Sequence, residues 1–276
     1  MSANWKYFRD EIVINQDFTD FIKDKIKGSS QGSTLLIAGR DCKHDPGYVF
    51  RVPPGYNLIL LAAQYDAAGG LIDASGLSAS GQGARGDAGT NSAGQESGGQ
   101  GGQGGPGPPG NSGGDITLFA KRLINAHLVT NGGQGGKGGT GGNGGAPTTY
   151  HDSDQWGGVG YSAPGGGGPG GPGGPGGYGG RVVLAYVDPS DTTPPVQIES
   201  AGSQGGDGGD GGLGAMDYRG RFRARNGNPG PRGPSGQPGQ PSVSRVTENE
   251  YWSGLVNTVG ADAAEWAIWL KHLLFL

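Results

Sequence analysis

The sequence predicts a mainly β/irregular fold: a small β-solenoid-like layer, a bundle of about six antiparallel polyglycine-II helices standing on it, and a C-terminal α-helix. Three observations predict it. Residues 132–146 read GGQ GGK GGT GGN GGA, triplets in phase, and the same grammar returns at 98–115, 167–181 and 205–213. Two glycines in every three residues suit neither an α-helix nor a pleated strand, but they suit polyproline-II geometry with its three residues per turn. The tracts are separated by apolar β-like runs in a repeat of roughly 60 residues, with three units visible. The chain then ends in ADAAEWAIWLKHLLFL, residues 261–276, apolar nearly all round.

Three domains follow: 1–80, an N-terminal cap and first β unit; 81–241, the glycine-rich bundle with β units at 115–130 and 181–201; and 242–276, the apolar helix. In the cap, Asp10 to Asn15 reads as a short strand, and Asp17 caps a helix carrying Phe18, Phe21, Ile22 and Ile26 on one face. β-like segments follow at 34–38, 48–52, 57–63 and 71–74, with Pro53-Pro54-Gly55 as a turn.

In each repeat, one glycine tract leads away from the β layer and another leads back. The outgoing tracts are 81–89, 132–146 and 202–213; the returning ones are 98–114, 165–180 and 227–239. At about 3.1 Å per residue, such a rod spans roughly 45 Å over 15 residues. Polyproline-II chains have no internal hydrogen bonds, so the rods must bond sideways, and glycine permits that approach. Residues 227–241 contain a G-X-Y run, so a collagen stalk or a disordered tract are the competing readings.

Candidate ligand-binding residues lie in the distal loops. Loop two, residues 147–164, holds Tyr150, His151, Asp152, Asp154, Trp156 and Tyr161. Loop three, residues 214–226, holds Tyr218, Arg219, Arg221, Phe222, Arg223 and Arg225. Arginines at alternate positions of an extended segment face one way and suit an anionic ligand. The plainer reading is a solvated face balanced by Asp207, Asp210 and Asp217. In the C-terminal helix, Trp266, Trp269, Leu270, Leu273 and Phe275 form a face for the core, a partner or a membrane surface.

Net charge is −4, which gives no basic field for nucleic acid. A single cysteine, Cys42, excludes an internal disulfide framework. Cys42, His44 and Asp45 lack a second ligand pair for zinc, no nucleophile–base set is visible, and no phosphate-binding loop matches. The expectation is therefore a non-enzyme without metal or cofactor. The start lacks a signal-peptide core, which places the chain in the cytoplasm or in a phage-like particle.

Glycine tracts alternating with aromatic loops over residues 81–241 resemble the receptor-binding adhesins at the tips of T-even-type phage long tail fibres. That resemblance implies a polyglycine-II sandwich with distal recognition loops, and a cell-surface glycan or protein receptor as partner. The tracts alone also resemble glycine-rich antifreeze proteins. The expected function is an adhesin-like scaffold that attaches to a larger assembly or a second copy through its N-terminal cap and C-terminal helix. The alternatives are an effector acting on a membrane or partner through that helix, and an ice-binding protein.

Overall fold

The structure, a computed structural model, describes residues 5–27, 32–92, 97–151, 159–189 and 195–259. The elements are β1 (Trp5–Ile14), α1 (Gln16–Lys25), β2 (Thr34–His44), β3 (Val49–Arg51), β4 (Asn57–Asp66), β5 (Leu71–Asp73), β6 (Ile116–Val129), β7 (Thr149–His151), β8 (Val159–Tyr161), β9 (Val182–Pro189), β10 (Val196–Glu199), β11 (Pro241–Arg245) and α2 (Glu248–Val259).

The expected fold class is overturned. The described chain is organised by a nine-stranded sheet in which every pairing is parallel, with two helices; it is not an antiparallel polyglycine-II bundle on a small β layer. Strands β1, β2, β4, β6, β9 and β11 lie side by side in that order. The far half of β6 also pairs with β5 and β10, and β5 pairs with β3. β6 thus belongs to both wings of a bent sheet.

The physical reason lies in the apolar runs. They are consecutive rather than alternating (Leu35-Leu36-Ile37-Ala38, Leu58-Ile59-Leu60-Leu61), the pattern of parallel strands buried on both faces. Each unit runs out along one wing of the sheet and back along the other, so it ends beside the start of the next unit: Gly114 N donates to Ala74 O, and Gly180 N to Thr130 O. A glycine excursion leaving and returning there feeds a strand that runs the same way as the one a unit earlier. The strands also outrun their apolar cores. β2 continues to His44, and β6 is a single strand of 14 residues across the unit expected at 115–130.

Register stacks like on like. Leu35, Leu58, Ile116 and Val182 form one row; Ile37, Leu60, Leu118 and Leu184 form the next, and all are fully buried. Each such side chain contributes about 1.5–3 kcal/mol by leaving water. Phe18, Ile22 and Ile26 of the α1 region close this core. The cap of α1 is Asn15, whose side chain accepts from Phe18 N at 3.0 Å; Asp17 sits in the first turn, where the helix dipole favours it.

The opposite face carries Leu36, Ala38, Ile59, Leu61, Phe119 and Ala185. α2 packs there through Tyr251, which is edge-on to Phe119 at 6.0 Å and donates to Ala62 O at 3.3 Å. Its start is a reciprocal cap. Glu250 Oε2 accepts from Thr247 N at 2.7 Å, and Thr247 Oγ1 accepts from Glu250 N at 3.3 Å. The helix expected over 261–276, with Trp266, Trp269, Leu270, Leu273 and Phe275, lies outside the described residues. Among the described residues, no helix is long and apolar enough to cross a membrane.

His44 is buried, and both its nitrogens are engaged. Nδ1 faces Tyr48 O at 3.2 Å and Nε2 faces the Tyr65 hydroxyl at 2.9 Å. The Tyr48 carbonyl can only accept, so Nδ1 carries the proton and Tyr65 donates to Nε2. Burial lowers the His44 pKa and holds the ring neutral. Burial also pushes the Cys42 thiol up, making it an inert core residue.

Candidate recognition tip

The glycine tracts carry no helix and no strand of more than a bridge residue; lateral backbone hydrogen bonds hold them. In 132–146 the first glycine of each triplet donates to the next outgoing tract: Gly135 to Gln204 O, Gly138 to Asp207 O, Gly141 to Asp210 O, at 2.8–3.1 Å. The second donates to a returning tract: Gly136 to Pro108 O, Gly139 to Gly105 O, Gly142 to Gly102 O, each at 2.8 Å. Partner numbers rise in the first series and fall in the second. Outgoing tracts therefore run parallel to one another, and returning tracts run antiparallel to them.

The third residue of each triplet faces outward. Lys137 reaches Asp210 at 2.7 Å, and Asp207 lies 3.4 Å from Arg232, so these acids are engaged away from the loop-three arginines. Along the rim of the last tract, the positions matching outward donors elsewhere carry Pro229 and Pro238. Arg232 covers that rim, reaching Gly205 O at 3.3 Å and Gln204 Oε1 at 3.0 Å.

The loop bases meet at the far end. Ser92 Oγ lies 2.8 Å from Ser162 Oγ and 3.1 Å from Thr148 Oγ1, which joins loop one to loop two. Ala215 N donates to Gly165 O at 2.9 Å, which joins loop two to loop three. In loop two, β7 and β8 form an antiparallel pair that places Tyr150 and His151 on one strand and Tyr161 on the other, opposite Thr149. Asp152, Asp154 and Trp156 lie outside the described residues.

Loop three is a tight hairpin. Met216 bridges Arg223, Asp217 N donates to Phe222 O at 2.7 Å, and Gly220 turns the chain at φ +69°. The Asp217 carboxylate accepts from Arg221 N at 2.6 Å and Phe222 N at 3.1 Å. Desolvation pushes its pKa up, but those N–H groups and the charges of Arg221 and Arg219 outweigh it and hold it below the usual range.

The turn at Gly220 breaks the extended geometry on which four arginines would face one way. Arg219 sits over the Tyr218 ring at 5.0 Å, and Arg221 lies 6.0 Å from the Phe222 ring centre. Arg223 donates back to Gly214 O at 3.1 Å, and Arg225 leads into the returning tract. Phe222 is left 69 % exposed and Tyr218 38 % exposed. The tip is thus a pinned hairpin bearing two aromatic rings with adjacent guanidinium groups, and the sequence signal for its turn is Asp217 three residues ahead of Gly220.

No protein-family model matches the chain, and no curated protein sequence matches it. Among solved structures it is similar to a springtail antifreeze protein from Granisotoma rainieri, described as a nine polyproline type II helical bundle whose crystal waters match the ice lattice. Identity is 24 % over 62 % of this chain and 95 % of that one, with a TM-score of 0.14. At that score the likeness carries no argument about fold or function.

Proposed function

We propose that this is a non-catalytic recognition protein whose loop-three hairpin engages an anionic cell-surface partner, a glycan or an acidic protein patch. The observation that carries this reading is Phe222: a large apolar ring, 69 % exposed, on a hairpin whose turn the Asp217 carboxylate pins. Exposed aromatic and arginine side chains on a preorganised support are the residues that dominate binding interfaces. The guanidinium groups of Arg219 and Arg221 beside the rings supply paired donors for carboxylate, sulfate or phosphate.

The test is an array of acidic and neutral glycans probed with the full chain. Phe222→Ala and Arg221→Gln are each expected to lower binding at least tenfold with an unchanged melting temperature, since both side chains are exposed. Binding that persists at full strength in both variants rejects the hairpin as the recognition element.

One observation favours a second reading, ice binding. On the returning face, Gly107 donates to Pro172 O and Gly173 to Pro231 O, and Gly110 donates to Pro175 O and Gly176 to Pro234 O. Prolines 106, 172 and 231, then 109, 175 and 234, therefore stand in two rows about 9 Å apart along the tracts. A flat, regular, apolar face of this kind is what thermal hysteresis would require. Measured hysteresis that Pro172→Glu abolishes would favour it over the hairpin.

A further inference from the structure

The returning face has one gap. The tract 165–180 repeats Gly-Gly-Pro with Pro169, Pro172 and Pro175 facing outward, but the position before them in phase is Gly166. Neither packing nor backbone conformation requires that glycine. A Cβ on Gly165, Gly167 or Gly168 would run into the carbonyl oxygens of Gly99, Gly212 or Gly102. On Gly166 it would meet only Arg225 O, at an ordinary 3.4 Å, and the φ of Gly166 is not positive. Its N–H donates to no backbone carbonyl among the described residues. The missing side chain leaves a shallow notch of about 270 Å³, walled by Gln100 on one side and Arg225 and Asn228 on the other, with Pro169 at its end.

The lining is chemically one-sided. It contains a guanidinium and three side-chain amides, and no carboxylate. Among the described residues, the side chains of Gln100, Arg225 and Asn228 have no hydrogen bond or ion pair; Asn226 accepts from Gly214 N at 2.9 Å and keeps its amide N–H groups. The volume falls just under the roughly 300–1,000 Å³ of drug-sized sites, which suits one ring rather than a chain of them.

We infer that the Gly166 notch is a binding subsite for a single carboxylated sugar residue of an acidic polysaccharide. Arg225 takes the carboxylate, Gln100 and Asn228 take ring hydroxyls, and the C–H face of the ring lies on Pro169. This rests on the recognition reading and deepens it, since the notch lies where loop three enters the returning tract.

The test uses the full chain with a galacturonic acid trimer, and maltotriose as the neutral control, followed by calorimetry and by the side-chain amide signals of Gln100 and Asn228. The acidic trimer is expected to bind at least tenfold tighter than maltotriose and to shift both amide signals. Gly166→Pro restores the repeat and fills the notch; it is expected to abolish binding while leaving the melting temperature unchanged or higher. Arg225→Gln is expected to remove the preference for the acidic trimer. Absence of binding, equal binding of both trimers, or full binding by Gly166→Pro overturns the inference. Loss in Phe222→Ala with full binding in Gly166→Pro moves the ligand to the hairpin, which sinks the notch and keeps the recognition reading. Binding abolished by Gly166→Pro alone keeps the notch and removes the hairpin from carbohydrate recognition.

Discussion

Gly139→Val is expected to destabilise the protein by about 3 kcal/mol or more, although it touches no apolar core. Gly139 N donates to Gly105 O at 2.8 Å, and its Cα lies against the Ala84 carbonyl, so a side chain there overlaps Ala84 O. Ala84 cannot retreat freely, because its carbonyl accepts from Gly105 N at 2.7 Å. To admit valine, the first outgoing tract must part from the second, which breaks the bonds from Gly83 to Lys137 O and from Gly86 to Thr140 O, each at 2.9 Å. Overpacking of this kind costs about 1–3 kcal/mol, and each lost hydrogen bond adds about 0.5–1.5 kcal/mol. For a chain of this size the melting temperature should fall by about 6–12 °C. Thr140→Val, at an outward-facing third position, should stay within about 0.5 kcal/mol of the parent. Denaturant midpoints of the two variants give the comparison.

Leu118→Ala is expected to cost about 3–5 kcal/mol. Leu118 is fully buried on β6, the strand shared by both wings of the sheet, with Leu60 on one side of its row and Leu184 on the other. A cavity in the middle of a stacked row has rigid neighbours on both sides and collapses poorly, which puts its cost at the high end of leucine truncations. Because the sheet sets where each tract leaves and returns, the loss should also raise the protease sensitivity of residues 98–146. An unchanged denaturant midpoint would show that the sheet is not what orders the chain.

The sequence made the ingredients legible more readily than their arrangement. The triplets and the apolar runs were visible, but the regularity of GGX drew weight to the tracts, while the runs of Leu, Ile and Val, buried on both faces, organise the molecule. Direction was hidden for a specific reason. A glycine triplet bonds to parallel and antiparallel neighbours alike. The strands are parallel because each unit runs out along one wing and back along the other before its tract leaves, a bend within β6 that the apolar run did not announce. The α2 start was readable as Thr247-x-x-Glu250 ahead of Tyr251, a capping box overshadowed by the more apolar stretch after it. At the tip, the identities of Tyr218, Phe222 and the arginines were legible. Their geometry was not, because Gly220 and Asp217 convert an alternating segment into a turn. Gly166 was readable too, as four glycines where the repeat should have placed a proline, but only its surroundings show that nothing there requires glycine.

The most direct test of the account is amide hydrogen exchange along residues 132–145. The account predicts a three-residue pattern. The glycine amides at 132, 133, 135, 136, 138, 139, 141, 142, 144 and 145 donate to neighbouring tracts and should exchange slowly. The outward-facing amides of Thr140 and Asn143 should exchange at least a hundredfold faster, since they have no backbone acceptor among the described residues. Uniformly fast exchange across the tract would contradict the account, because the tip would then rest on chain that nothing holds in place.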